Sequence, residues 1–217
     1  METGRKLDAT IAVLLLIVLL AGGCTRISSY DYISRTVSFL NSLESYYAVV
    51  KMEIQDDEES RIYRYRQWVR LPSHYRLEVI EPKSIAGKVT ASNGKVTWMT
   101  HPRIKEVVEL EFPELYQNVP LFIGDFLSKY WDSEKASAKE TTIDGKSCVI
   151  LSYPSVGRNP GYALERIIMD KKEKRPLFIT VYDQEGKEVV KVTFEEFRPV
   201  SHLEDDLFEA SESPAEG

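Results

Sequence analysis

Ser60-Arg61-Ile62-Tyr63-Arg64-Tyr65-Arg66-Gln67-Trp68-Val69-Arg70-Leu71 is the stretch that decides the fold. In an extended chain, successive side chains point to opposite faces. Tyr63, Tyr65, Val69 and Leu71 therefore fall on one face, and Arg64, Arg66 and Arg70 on the other. One apolar and one charged face is the pattern of an antiparallel sheet packed on one side and wet on the other. Leu71-Pro72-Ser73 turns the chain, and Tyr75, Leu77 and Val79 then alternate with Arg76 and Glu78.

The pattern continues in both directions. Upstream, Tyr46 to Ile54 reads as a first strand, closed by the polar run Asp56-Asp57-Glu58-Glu59. Downstream, Glu81-Pro82 breaks the chain, and Lys88 to Ala91 leads into Asn93-Gly94, the strongest short hairpin signal. Val96 and Trp98 continue on the far side, His101-Pro102 turns, and Ile104 to Leu110 forms the next strand. Further strands are expected at 136–143 and 146–153, joined by Asp144-Gly145, and at 162–170, 177–183 and 187–197, with Gly186 serving the last hairpin. Residues 154–161 read as a loop.

Two segments change period. Over 28–44, Ser28 with Asp31 resembles a capping box, and Ile33, Val37 and Leu40 repeat at helical spacing. Pro113 and Pro120 bracket a short segment. After it Phe122, Phe126 and Tyr130, with Ile123, Leu127 and Trp131, recur every four residues and predict a second, very aromatic helix. The sum is a mainly β, α+β chain of about ten strands and two helices, its successive strands joined mostly by short hairpins. The expected architecture is a curved antiparallel sheet, a half-open barrel, with both helices packed on the concave face.

The first residues carry a different signal. Arg5 and Lys6 precede an uncharged apolar run, Ala9 to Leu20, and Leu20-Ala21-Gly22-Gly23-Cys24 follows. Small residues before a cleavage point mark a secretory signal, and a cysteine directly after them resembles the bacterial lipobox. Residues 1–23 are thus expected to be a lipoprotein signal peptide cut after Gly23. Cys24 becomes the lipidated first residue, 24–27 a short tether, 28–210 the folded domain, and Ser211 to Gly217 a disordered tail. The implied location is extracytoplasmic, held to the cell membrane through the lipid on Cys24.

Composition narrows the function classes. The chain of 217 residues carries a net charge of −6, a poor match for nucleic acid or for spreading on anionic lipid. The three histidines, His74, His101 and His202, lie in or beside turns, with no partner at metal-ligand spacing, so neither a metal nor a cofactor is expected. There is no HExxH, GxSxG, P-loop or GxGxxG motif, and no residue is nominated as catalytic. The 56–59 run lacks the glycine and the bidentate glutamate of a calcium loop. The arginines of 60–76 read as a solvated face paired with glutamates across the ladder, an anionic partner being the other reading. Cys148 reads as a small buried hydrophobe, with an intermolecular disulfide as the alternative.

Several stretches combine in order: Leu71-Pro72-Ser73-His74-Tyr75-Arg76, Glu81-Pro82, Asn93-Gly94-Lys95-Val96-Thr97-Trp98, Asp144-Gly145-Lys146, Tyr153-Pro154, Asp170 before Pro176-Leu177, Asp183-Gln184-Glu185-Gly186-Lys187 and Asp206-Leu207-Phe208. This series resembles the LolA-like superfamily, the outer-membrane lipoprotein carrier proteins and their relatives. It is closest in kind to the lipidated group of spore-forming Firmicutes that includes the germination lipoprotein GerS. The resemblance implies a half-open barrel around an apolar cavity that holds acyl chains of lipids or lipoproteins without catalysis. Tyr47, Tyr63, Tyr65, Trp98, Phe122, Phe126, Leu127, Tyr130 and Trp131 are the expected cavity residues. For the lipidated group it implies a different role, binding a protein partner, a cortex-modifying peptidoglycan amidase of sporulation and germination, and a place in the spore envelope. A tethered chain also departs from the soluble carrier, since it cannot ferry cargo between membranes.

Overall fold

The computed structural model describes residues 29–55, 59–110, 121–155 and 161–210. The signal peptide, Cys24 with its tether, most of the acidic run, the Pro113–Pro120 segment, most of the 154–161 loop and the tail lie outside the described residues. Helix α1 (Ser29–Asn41) leads into strands β1 (Ser45–Gln55), β2 (Ser60–Arg70), β3 (His74–Glu81), β4 (Val89–Asn93), β5 (Thr97–His101) and β6 (Ile104–Glu109). Helix α2 (Ile123–Asp132) follows, then β7 (Ser137–Ile143), β8 (Lys146–Pro154), β9 (Leu164–Asp170), β10 (Pro176–Tyr182) and β11 (Glu188–Pro199).

The strands form one sheet in the order β6-β5-β4-β3-β2-β1-β11-β10-β9-β8-β7, and each pairing among them is antiparallel. The sheet does not close, so β6 and β7 are its two edges. The expected mainly β architecture is present, with eleven strands and two helices among the described residues. The topology also explains where α2 lies. The chain walks by hairpins from β1 out to one edge and must reach the opposite edge to begin β7. α2 lies between β6 and β7 in the sequence and packs on the inner face.

Turn chemistry follows the sequence. Asn93 Oδ1 accepts the backbone N–H groups of Lys95 and Val96 at 3.0 Å each, and Gly94 takes φ +83°. Asp144 and Gly145 both take positive φ, 49° and 76°, the two-residue geometry that matches the twist of flanking strands. The 28–44 helix is shorter than expected, ending at Asn41. Leu43 continues the apolar set from a turn and is buried.

Alternate residues of nearly every strand supply the main core: Tyr46, Ala48, Val50 and Met52 of β1, Tyr65 and Val69 of β2, Val149, Leu151 and Tyr153 of β8, Ile167 and Met169 of β9, and Val190 and Val192 of β11. A smaller cluster on the outer face contains Cys148, Ile150, Ile168 and Leu177, flanked by Ile143 and Phe178. Cys148 is fully buried there, and burial raises its thiol pKa. This is the environment of a small packed hydrophobe.

Candidate functional site

Two faces compete for a functional role. On the inner face, α2 lies apolar side down: Ile123, Phe126, Leu127 and Tyr130 are buried, and Phe126 is 1% exposed. Phe126 packs on Tyr153 with ring centroids 5.1 Å apart, and Phe122 on Tyr75 at 4.9 Å. Tyr65 belongs to the same cluster and Tyr63 packs against it from a partly buried position. Hydrogen bonds pin the entry to the helix. Gln67, 0% exposed, donates from Nε2 to the Leu121 carbonyl at 3.1 Å, and the Ile123 N–H donates to Tyr46 Oη at 3.4 Å.

Beneath α2 is a polar knot. Glu165 is 2% exposed and accepts from Tyr153 Oη at 2.5 Å and Ser155 Oγ at 2.8 Å, with Lys129 Nζ at 3.8 Å. A buried carboxylate with two donors and a nearby ammonium is compensated, which its burial requires. Asp125, one turn before Lys129, is pushed up to about 6. Burial is the main cause, the nearby Glu165 charge adds to it, and Lys129 opposes both.

Six of the nine expected cavity residues come together here: Tyr63, Tyr65, Phe122, Phe126, Leu127 and Tyr130. Three do not. Trp131 is 51% exposed on the solvent side of α2. Tyr47 and Trp98 belong to the outer face, because Tyr46, the residue before Tyr47, points inward and the strand period is two. The helix and sheet meet as a packed core. A hollow at the start of α2, between Leu71, Tyr75, Phe122 and Gly124, measures about 140 Å³, and a more open one of about 530 Å³ lies between the end of α1 and Leu127, lined in part by Leu40, Leu43 and Arg70. Ordinary small-molecule pockets hold roughly 300–1,000 Å³.

The outer face has its own order. The registers place Arg198, Tyr47, Trp68, Arg76, Ala91 and Trp98 side by side on six adjacent strands. The Arg198 guanidinium lies 4.7 Å from the Tyr47 ring centroid, and Tyr47 meets Trp68 edge-on at 5.4 Å. Burial lowers the pKa of Arg76, against the pull of Glu78. In the neighbouring rows Arg66 Nη1 donates to Glu78 at 2.8 Å, the cross-ladder pairing expected of these arginines, and Arg64 Nε reaches over β1 to Glu195 of β11 at 2.6 Å. Trp68 and Arg198 were not among the expected site residues, and Arg76 entered only with the arginine set whose other reading was an anionic partner. The sequence signal was present, since Trp68 shares the parity of Arg64, Arg66 and Arg70.

The family model described as "Sporulation protein YdcC-like" matches residues 5–208. The chain belongs to the YdcC-like sporulation protein family. It is 24% identical over 197 residues to "Sporulation protein YdcC" of Bacillus subtilis strain 168, covering 91% of this chain and 58% of that relative. The chain thus spans little more than half the length of that YdcC protein. Among solved structures, an uncharacterized conserved protein from Thermus thermophilus is similar, with a TM-score of 0.52 at 17% identity over 82% of this chain and 93% of that one. A LolA superfamily protein from Nitrosomonas europaea matches with a TM-score of 0.43 at 13% identity, covering 85% of this chain and 98% of that one. The CwlD amidase from Clostridioides difficile in complex with the GerS lipoprotein matches with a TM-score of 0.42 at 21% identity, covering 82% and 96%.

Proposed function

We propose that this YdcC-like chain is a non-enzymatic binding module of the cell envelope in spore-forming bacteria. It is anchored outside the cytoplasm by lipid on Cys24 and binds a peptidoglycan amidase through the outer face of its sheet. The observation that carries this reading is the occupied inner face. With Ile123, Phe126, Leu127 and Tyr130 buried against the sheet, an acyl chain lying between α2 and the sheet would have to displace the helix. The outer face instead presents Tyr47, Trp68 and Trp98 in register with Arg76 and Arg198. Aromatic and arginine side chains of this kind dominate protein–protein binding energy.

The test is calorimetric titration of the mature lipoprotein with the cortex amidase of the same organism. Binding is expected, and Trp98→Ala combined with Arg198→Glu is expected to weaken it at least tenfold, since hot-spot truncations each cost about 2 kcal/mol or more. Binding that survives this double change, or no binding at all, overturns the assignment of the face. Native mass spectrometry of detergent-free protein is the complementary check. Co-purified fatty acid would return the function to acyl-chain capture on the inner face.

A further inference from the structure

α1 starts at Ser29, five residues after Cys24. Five residues of fully extended chain reach at most about 18 Å. A lipid on Cys24, the anchor of the proposed function, therefore keeps the start of α1 close to the bilayer. The structure shows what else gathers at this end. Lys171 Nζ lies 3.7 Å from the ring centroid of Tyr32, in the first turn of α1. The Lys171 backbone N–H donates to the Ser147 carbonyl at 3.0 Å. The start of α1, the β7–β8 hairpin and the β9–β10 turn thus form one rim, around a surface hollow of about 580 Å³ lined in part by Tyr32, Lys146, Ser147, Lys171 and Lys172.

The charges of the rim are unevenly engaged. Its carboxylates are largely occupied within the fold: Glu140 pairs with Lys171 at 2.8 Å, Glu173 with Arg175 at 2.6 Å, and Asp170 Oδ1 accepts the backbone N–H groups of Lys172 and Glu173 at 2.8 Å each. Asp144 at the hairpin tip is exposed. Lys146, Lys172 and Lys174 are exposed too. Five cations here meet four carboxylates, and Arg35 and Asp31 of α1 cancel. The rim is therefore cationic by one charge on a chain whose net charge is −6.

We propose that this rim rests on the membrane, with Lys146, Lys172 and Lys174 contacting the anionic headgroups of phospholipids. This orientation rests on the lipid anchor at Cys24. The rim consists of strand ends on the β7 side of the sheet, so the sheet meets the bilayer at that corner, and the outer face of β1 to β5 stays open to a partner. Tyr32 suits the headgroup boundary, where one end of a side chain is apolar and the other wet.

The test is amine-acylation footprinting, read by mass spectrometry, of the mature lipoprotein in phosphatidylcholine vesicles with and without phosphatidylglycerol. Only protein that floats with the vesicles is analysed. Lys83 and Lys187, at the opposite ends of the strands, serve as references. Each cation near an anionic surface gains roughly 1 kcal/mol, a factor of about five. The reactivity of Lys146 and Lys172 is therefore expected to fall about fivefold in phosphatidylglycerol vesicles and to recover in high salt. Lys83 and Lys187 are expected to be unchanged. In a Lys146→Glu, Lys172→Glu variant, Lys174 should lose its protection while flotation persists. Flotation with equal reactivity at all these lysines overturns the orientation alone. Absence of flotation removes the anchor, and the orientation with it.

Discussion

At the residue scale, neighbours on α2 have opposite fates. Phe126 is 1% exposed and Trp131 51% exposed. Phe126→Ala removes a ring packed on Tyr153 and Tyr130, and is expected to cost about 3–5 kcal/mol of unfolding free energy. Trp131→Ala loses mainly an edge-on contact with Tyr130 and should cost about 1 kcal/mol. Urea titrations of both variants check the contrast, and equal losses would contradict the placement of the helix. Asp125 gives a pH signature. Its folded pKa, about 6, stands above the ordinary value of 3.8, so the folded state holds its proton more tightly than the unfolded state. Its stabilising contribution is complete below about pH 4 and is lost as the pH rises through about 6. The loss is on the order of 2–3 kcal/mol. The stability of Asp125→Asn relative to the parent should therefore increase from pH 4 to pH 7, measured by denaturant unfolding at each pH. A difference that does not vary with pH would refute the buried-carboxylate account.

At the element scale, hairpins carried most of what the sequence disclosed. Asn93-Gly94 and Asp144-Gly145 each state a turn geometry, and alternation in 60–71 states a face. Gly94 also brings the β4–β5 hairpin against Ser73 in the β2–β3 turn. Its left-handed φ and that close approach both disfavour a side chain, so Gly94→Ala is expected to lower the unfolding free energy by about 1–3 kcal/mol. A thermal melt checks this, and an unchanged midpoint would mean that the two turns move independently. Local signals could not disclose the β1–β11 pairing, which joins residues more than a hundred positions apart. Without it, the row from Arg198 through Tyr47 to Trp98 has no register. The inward parity of Glu165 with Ile167 and Met169, and of Gln67 with Tyr65 and Val69, was readable. Its meaning was not, because the partners Tyr153, Ser155 and Leu121 come from other elements. Tyr47 shows the sharpest limit: a strand of nearly continuous apolar residues gives no clue to which of two adjacent tyrosines points inward.

At the scale of the molecule, attachment to a membrane has to overcome an unfavourable charge. A chain of net −6 is repelled by an anionic surface. The cationic rim offers three exposed lysines, each worth roughly 1 kcal/mol near such a surface and screened within about 10 Å at ordinary ionic strength. Acyl chains on Cys24 would supply about 0.8 kcal/mol per buried CH₂, so two or three chains far outweigh the rim. Anchoring and orientation should therefore separate experimentally. Cys24→Ala, placed behind a secretory signal that is cut without lipidation, is expected to abolish incorporation of labelled palmitate and to move the protein from the membrane to the soluble fraction. The buried apolar residues run from Leu40 to Phe208, with Ile33 and Val37 packed against them, so the urea midpoint of the released domain should equal that of the parent in detergent. Labelled palmitate retained in the variant would place the lipid elsewhere. Membrane association without palmitate would mean that protein surface, rather than lipid, holds this domain to the envelope.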